Sequence, residues 1–372
     1  MLDQQLKSIE LPDVLEKLAV YQPNVQDKIV KHIIEESGLD AYDLISAFAP
    51  VGNPGTQVLS TTTLFNISTL ENNRYNAIVN LKRINDFGRI NRIFETINEK
   101  LVNNGIFIGC CETLEFRKTR LLNKYPGFLN YLYLGVDYLF KRVMPKLPVT
   151  KKIYFALTGG RNRVISRAEV LGRLYASGFK AIHEQNIGYM YYFIAKKASR
   201  PSFDSNPSYG LLFGMERTGM NHKNIRVYKF RTMYPYSEYL QQYVYERNNL
   251  ENGGKFKNDF RITATGRIMR KFWIDELPMI WNFLKSDIKL VGVRPLSKQY
   301  QSLYPKDLLT LRHKHKPGLI PPYYADMPDG FDQILDSERR YLESYCKSPL
   351  YTDWKYFWKA FVNIIFKSAR SK

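Results

Sequence analysis

Between Tyr75 and Glu112 the apolar pattern of the chain changes period twice, and that alternation limits the first half to a mixed α/β fold. YNAIVNL, Tyr75 to Leu81, is a near-continuous apolar run and reads as a buried strand. INDFGRINRIFETINEKLVNNG then places Ile90, Ile93, Phe94, Ile97 and Leu101 on one helical face. Asn103-Asn104-Gly105 is expected to end that helix, because Asn and Gly tolerate left-handed backbone. IFIGCCE returns to strand. Further on, SRAEVLGRLYASG reads as a helix with Ser166 and Glu169 at N-cap spacing and Gly178 as its stop. FKAIHEQ and YMYYFIAKK follow as a hairpin. The Pro-, Ser- and Asn-rich stretch SRPSFDSNPSYG reads as a linker. The expected layout is therefore a first domain over residues 1–198, a linker over 199–208 and a second domain over 209–372.

The strand–helix–strand, helix, hairpin order over about residues 60 to 198 resembles the second half of a Rossmann-like methyltransferase domain. That resemblance implies a glycine-rich turn after the first strand, where backbone could approach a cofactor. The candidate, APVGNPGTQV, lacks a G-x-G pattern and carries Pro54, which cannot donate an N–H. The expectation is an incomplete Rossmann-like domain that serves as a scaffold and does not bind S-adenosylmethionine.

Charge narrows the partners. The 372 residues carry 55 Lys and Arg against 35 Asp and Glu, a net charge of +20, which attracts phosphates on nucleic acid, on anionic lipid or on a diphosphate substrate. The 27 tyrosines suit wet interfaces, including a lipid headgroup layer. No helix-turn-helix, RNP or zinc-finger pattern supports a nucleic-acid partner. Cys110, Cys111 and Cys346 form no disulfide framework and no metal spacing. His222, His313 and His315 do not make a zinc set, and the last two are expected to be exposed near phosphate. The N-terminal MLDQQLKSIELPDVLEKL is acidic and amphipathic, unlike a signal peptide. No apolar run reaches 18 residues, so no transmembrane helix is expected. Phe128 to Phe140, FLNYLYLGVDYLF, reads as a packed or interfacial helix. YPYSEYLQQYVYERNN places Tyr236, Tyr239 and Tyr243 on one stripe, expected in a core. In TDWKYFWKAFVNIIFKSARSK, Trp354, Phe357, Trp358, Phe361, Ile364 and Ile365 fall at helical spacing with Lys355, Lys359 and Lys367 elsewhere. This fits either an interfacial helix or one packed on the second domain.

The chemistry-bearing residues begin at Tyr209. Lys229 and Arg231 flank Phe230 at a strand end, Arg261, Arg267, Arg270 and Lys271 precede Asp275-Glu276, and Arg294 lies within VGVRP. Cations can hold phosphate oxygens beside such a carboxylate pair, one carboxylate binding a divalent metal and the other attacking phosphorus. By residue type alone Asp275-Glu276-Leu277-Pro278 fits an ordinary capped helix start equally well. The ordered series YKFRTM, T-x-x-G-R-x-x-R, DELPxxxNxLKxDxxLVGxRP and KPGL over about residues 208 to 325 resembles the catalytic domain of the monotopic phosphoglycosyl transferases, the bacterial sugar transferase family.

That resemblance implies an α+β, helix-rich C-terminal domain in which Asp275 is the nucleophile and Glu276 helps bind Mg²⁺. Lys229, Arg231, Arg267, Arg270, Arg294 and Pro295 would surround the substrate phosphates. It further implies a UDP-sugar donor, a polyprenyl phosphate acceptor and a covalent sugar phosphate on Asp275. Three departures stand out: Val293 in place of a proline in VGPRP, MERTG in place of Gln-x-Arg-x-Gly, and no hydrophobic re-entrant helix ahead of the domain. The protein is therefore expected to be peripheral at an anionic membrane surface, on the cytoplasmic face of the inner membrane, held by the C-terminal helix and its positive charge. A membrane-bound partner is the alternative anchor.

Overall fold

Five strands of the first unit lie in one sheet, in the order β1-β2-β3-β5-β4: β1 (Thr56–Leu59), β2 (Tyr75–Asn80), β3 (Leu101–Cys111), β4 (Phe179–Ile187) and β5 (Met190–Lys197). The computed structural model of the chain describes residues 27–124, 126–202, 210–247 and 259–366. The amphipathic N-terminal stretch and most of the expected linker fall outside them. β1, β2 and β3 run parallel, β5 is antiparallel to β3, and β4 and β5 form the expected hairpin around Gly188, whose φ is +56°. This is a Rossmann-like mixed sheet. Alternation along β3 sends Phe107 to one face and Ile108 and Cys110 to the other. Phe107 meets Phe94, Phe179 and Phe193. Ile108 and Cys110 pack with Ile33, Leu44 and Ile45 from the N-terminal helices, which include α1 (Leu39–Phe48).

The helix α2 (Ile90–Lys100) buries Ile90, Ile93, Phe94 and Ile97 as its period requires. It ends at Lys100, so Asn103-Asn104-Gly105 does not terminate it. Those residues lie inside β3, where Asn104 adopts φ +66°. Two local constraints override the turn signal. Lys100 donates from Nζ to the carbonyls of Ser68 and Leu70 at 3.0 and 2.6 Å, and Leu101 already pairs with Tyr75. The extra residues are absorbed as an irregularity between the Tyr75 and Ala77 pairings. APVGNPGTQV likewise sits elsewhere than expected: Gly52 and Gly55 precede β1, and its last three residues begin that strand. The loop after β1 begins at Ser60-Thr61 and contains no glycine.

After β3 the chain forms α3 (Leu114–Leu122), α4 (Leu129–Tyr138), α5 (Pro148–Thr158) and α6 (Arg167–Ala176). Ser166 Oγ accepts from Glu169 N at 3.2 Å at the start of α6, and Gly178 follows its end with φ +82°. Among the described residues, those up to 202 together with Pro235–Leu240 form one compact unit, and 210–234 with those from 241 onward form a second. Tyr236 seats the short second segment on α6, its ring 4.5 Å from the Arg173 guanidinium and its hydroxyl 2.6 Å from Asn91 Nδ2. Tyr236 and Tyr243 are buried and Tyr239 is half-buried, so the core reading of the tyrosine stripe holds for two of its three residues.

The second unit is mainly helical. A hairpin of β6 (Leu212–Thr218) and β7 (Asn224–Phe230) precedes α7 (Ala264–Lys271) and α8 (Met279–Leu284). β8 (Lys289–Val291) and β9 (Gly318–Ile320) pair in parallel, with α9 (Lys306–His313) between them, and α10 (Phe331–Lys347) and α11 (Pro349–Phe366) complete it. Val291, Val293, Leu308, Tyr324, Tyr341, Leu342, Tyr356 and Ala360 form its core. α11 packs Tyr356 and Ala360 inward and leaves Trp354, Trp358, Phe361 and Ile365 exposed. The reading of that helix as packed on the second unit therefore holds for one face, and its other face carries the exposed aromatics. No helix among the described residues is long and apolar enough to cross a membrane.

Candidate active site

The period of β7 creates the site's first unusual feature. Ile225 and Val227 face the interior, and two residues on the same side chain direction belongs to Lys229, which is 9% exposed. Its Nζ reaches Glu276 Oε1 at 2.5 Å. Burial, and then the neighbouring Arg294, hold the Lys229 ammonium below its ordinary pKa, while Glu276 pulls the other way.

Asp275 and Glu276 sit in a single 3-10 turn, Ile274–Glu276, between α7 and α8. Trp273 enters that turn at φ +51° and is pinned by its indole N–H, 3.2 Å from the Tyr324 hydroxyl. Pro278 occupies the N-cap of α8, and Asp275 makes no cap there. The ordinary capped-helix reading of these carboxylates thus fails. Asp275 is half-buried. Burial and then the adjacent Glu276 carboxylate raise its pKa, against the opposing fields of Lys229 and Arg270.

The motif glycines have a packing reason. Thr263 Oγ1 caps α7 by accepting from Gly266 N at 2.8 Å, and a Cβ at Gly266 would lie 2.1 Å from the Thr232 carbonyl oxygen. This close contact lets Arg270 donate from Nε to Thr232 Oγ1 at 2.9 Å, on the Asp275 side. Asn282, fully buried, accepts from Tyr228 N at 3.0 Å and donates to the Arg226 carbonyl at 2.7 Å, locking α8 to β7.

Arg294 closes the group. One guanidinium nitrogen donates to the Tyr323 hydroxyl at 2.8 Å and the other stands 3.6 Å from Glu276 Oε1. Its carbonyl accepts from Arg312 Nη2 at 2.6 Å, and Arg312 pairs with buried Glu338. A cavity of about 640 Å³ opens here, walled by Arg217, Lys229, Glu276, Arg294, Pro295 and Tyr323 among others. Asp275 lies next to Glu276 but is not part of the wall.

Of the residues singled out from sequence, the fold gathers Lys229, Glu276, Arg294 and Pro295 at the cavity, with Asp275 and Arg270 beside them. Arg267 is exposed on α7. Arg231 turns toward β6, donating from Nε to the Gly210 carbonyl at 3.1 Å and lying 5.1 Å from the Phe213 ring centroid. Sequence reasoning did not single out Tyr323, Tyr324, Arg312, Glu338 or Asn282. The Asn282 position was visible in the DELPxxxNxLKxD string, and PPYY follows KPGL after a single residue, Ile320. His313 and His315 are half-buried, not exposed: the His313 ring lies tilted against His222 with ring centroids 4.0 Å apart, and His315 lies against Tyr345 and Cys346. Cys110 is buried, with its thiol pKa pushed up by burial to about 12.

For a divalent cation, the donors present are the hard oxygens of Asp275 and Glu276. No cluster of three His, Cys, Asp or Glu able to hold a metal occurs among the described residues. That donor set fits Mg²⁺, which commonly takes one or two carboxylates and completes its shell with water and substrate phosphates.

The family model for bacterial sugar transferases matches residues 202–367. The C-terminal part of the chain is thus similar to bacterial sugar transferases. Its curated relatives include an uncharacterized sugar transferase of Bacillus subtilis, 39% identical over 29% of this chain and 48% of that protein. A UDP-N-acetylgalactosamine-undecaprenyl-phosphate N-acetylgalactosaminephosphotransferase of Aeromonas hydrophila is 29% identical over 36% of this chain and 29% of its own length. An undecaprenyl-phosphate galactose phosphotransferase of Salmonella typhimurium is 40% identical over 26% and 21%. The alignments thus span half or less of these relatives. Among solved structures, a SAM-dependent methyltransferase from Thermotoga maritima is similar at a TM-score of 0.22 and 13% identity, over 35% of this chain and 58% of that one. A score that low carries no weight for the fold or cofactor of the first unit. Within the matched residues, the motif carboxylates, the cations and the cavity fall together.

Proposed function

We propose that this chain transfers a sugar 1-phosphate from a UDP-sugar to a polyprenyl phosphate through a covalent intermediate on Asp275. The observation that carries the reading is the Asp275-Glu276 turn, set against Lys229, Arg270 and Arg294 at the edge of a substrate-sized cavity. The domain's relatives from Aeromonas and Salmonella, named for phosphotransfer to undecaprenyl phosphate, support the acceptor class.

In the first step an Asp275 carboxylate oxygen attacks the sugar-bearing phosphorus, the bond to the bridging oxygen breaks, and UMP departs with that oxygen. In the second, an oxygen of the polyprenyl phosphate attacks the same phosphorus. The lipid diphosphate sugar leaves and the Asp275 carboxylate is restored. Lys229 and Arg294 face the cavity as fixed cations that hold phosphate oxygens and offset the charge developing on the departing UMP. Glu276 would hold Mg²⁺ with the substrate diphosphate, and the bound ion would neutralise charge on the phosphates. Because Lys229 already lies on Glu276, a cation arriving there changes the partners of both side chains.

The acceptor class places the reaction at a bilayer. Exposed Phe272, Leu277, Trp281 and Leu284 around the Asp275 turn, and the outer face of α11, suit contact with lipid. A peripheral place on the cytoplasmic face of the inner membrane, with the first unit as a Rossmann-like scaffold, fits this reading. UMP release should be assayed with a panel of UDP-sugars, polyprenyl phosphate and Mg²⁺. One sugar should support turnover, Asp275→Asn should abolish it, and excess EDTA should suppress it. Full release by Asp275→Asn would sink the mechanism, and turnover unchanged in EDTA would remove the metal.

A further inference from the structure

The helix α4 is inside out. Its buried residues are Asn130 and Asp137, while Phe128, Leu132, Val136 and Leu139 along the same stretch are exposed, Phe128 by 76%. The polar pair is firmly tied inward. Asn130 Nδ2 donates to the Leu122 carbonyl at 2.6 Å. Asp137 accepts from Arg117 Nε and Nη2 at 2.7 and 2.9 Å and from Lys141 Nζ at 2.8 Å. The next helix repeats the theme. Val149, Ile153 and Leu157, at i, i+4 and i+8 on α5, form one exposed stripe, with Val149 74% and Leu157 69% exposed. Phe140 packs edge-on against buried Tyr154, with ring centroids 5.9 Å apart, joining the two segments.

Apolar surface of this extent is rare on a protein that meets only water. Its charge identifies what covers it. From Phe128 to Thr158 the chain has five basic residues and one acid, Asp137. Asp137 takes up Lys141, and buried Glu169 takes up Arg142 and Lys146, so Lys151 and Lys152, both exposed on α5 beside its apolar stripe, carry the outward positive charge of this segment. Exposed Tyr131, Tyr133 and Tyr138 supply side chains suited to the headgroup layer. Neither helix is long enough to cross a bilayer.

We infer that residues 128–158 of the first unit form a second membrane-docking surface, which lies on an anionic bilayer through α4 and α5. Its evidence is independent of the proposed chemistry, although a membrane-borne acceptor gives it a purpose. Docking at this surface would tether the first unit to the bilayer that carries the acceptor.

The test uses the full chain and vesicles of phosphatidylcholine with or without about one third phosphatidylglycerol. Leu132→Glu with Val149→Glu should lower partitioning at least tenfold. Lys151→Gln with Lys152→Gln should lower it at least fivefold on anionic vesicles only, since each lysine near such a surface contributes about a factor of five. Asp275→Asn should bind like the parent, which separates this inference from the catalytic one. Turnover of a detergent-dispersed acceptor should survive in the surface variants and certify their fold. A photo-crosslinker at position 132 should label lipid. Unchanged partitioning of both surface variants would overturn the inference. So would crosslinks confined to a second copy, to residues 1–26 or to the second unit.

Discussion

Lys229 shows how much one side chain's direction decides. Residue alternation aims a cation inward, and the Asp275-Glu276 turn supplies the carboxylate that meets it. The consequence for Asp275 is a titration shifted upward, because burial and the Glu276 charge disfavour the carboxylate. The proposed attack requires the carboxylate. In the metal-free protein the Asp275 carboxyl, followed by NMR, should titrate above the ordinary aspartate pKa of about 3.9, and Arg270→Met should move it higher by removing an opposing cation. A titration at the ordinary value, indifferent to Arg270, would refute this placement of Asp275. Asn282→Ala tests support for the turn from behind. It strands the Tyr228 N–H and the Arg226 carbonyl, and denaturant melts should show a loss of about 1–3 kcal/mol. No loss would mean that α8 is held by other contacts. Lys229, Asp275, Glu276 and Arg294 were legible because their motifs are contiguous strings. Tyr323, Arg312 and Glu338 were not, since they reach the site from α9, α10 and the segment after β9, and only tertiary folding brings them there.

At the scale of elements, the two glycines of VGVRP and KPGL explain each other. A Cβ on Gly318 would lie 2.1 Å from Gly292 N, so the ends of β8 and β9 can meet only as bare backbone. Gly318→Ala should destabilise the second unit by about 1–3 kcal/mol through overpacking and weaken turnover, because Arg294 lies two residues beyond this contact. Wild-type melting together with wild-type kinetics would contradict that. The sequence-based errors also belong to this scale. Asn103-Asn104-Gly105 has the local chemistry of a helix stop, yet buried Lys100 and the Tyr75–Leu101 pairing start the strand sooner. The candidate glycine turn was assigned to the wrong end of a strand because β1 is four residues long and only partly buried, too short to announce its position. The alternating helices and strands with long, regular apolar faces, α2 and the β4–β5 hairpin above all, were legible from their period.

For the whole molecule, the net charge of +20 and the apolar faces of α4, α5 and α11 describe a chain suited to phosphate and to an anionic surface at once. The proposed chemistry has a sugar phosphate reside on Asp275 between two transfers. The direct measurement is mass spectrometry of the protein mixed with its UDP-sugar and Mg²⁺, without lipid acceptor, quenched in acid and digested. The account predicts a sugar-phosphate mass on the peptide containing Asp275, its absence in Asp275→Asn, and its loss when polyprenyl phosphate is added before the quench. An adduct on a peptide lacking Asp275, or turnover by Asp275→Asn at the parent rate, would contradict it.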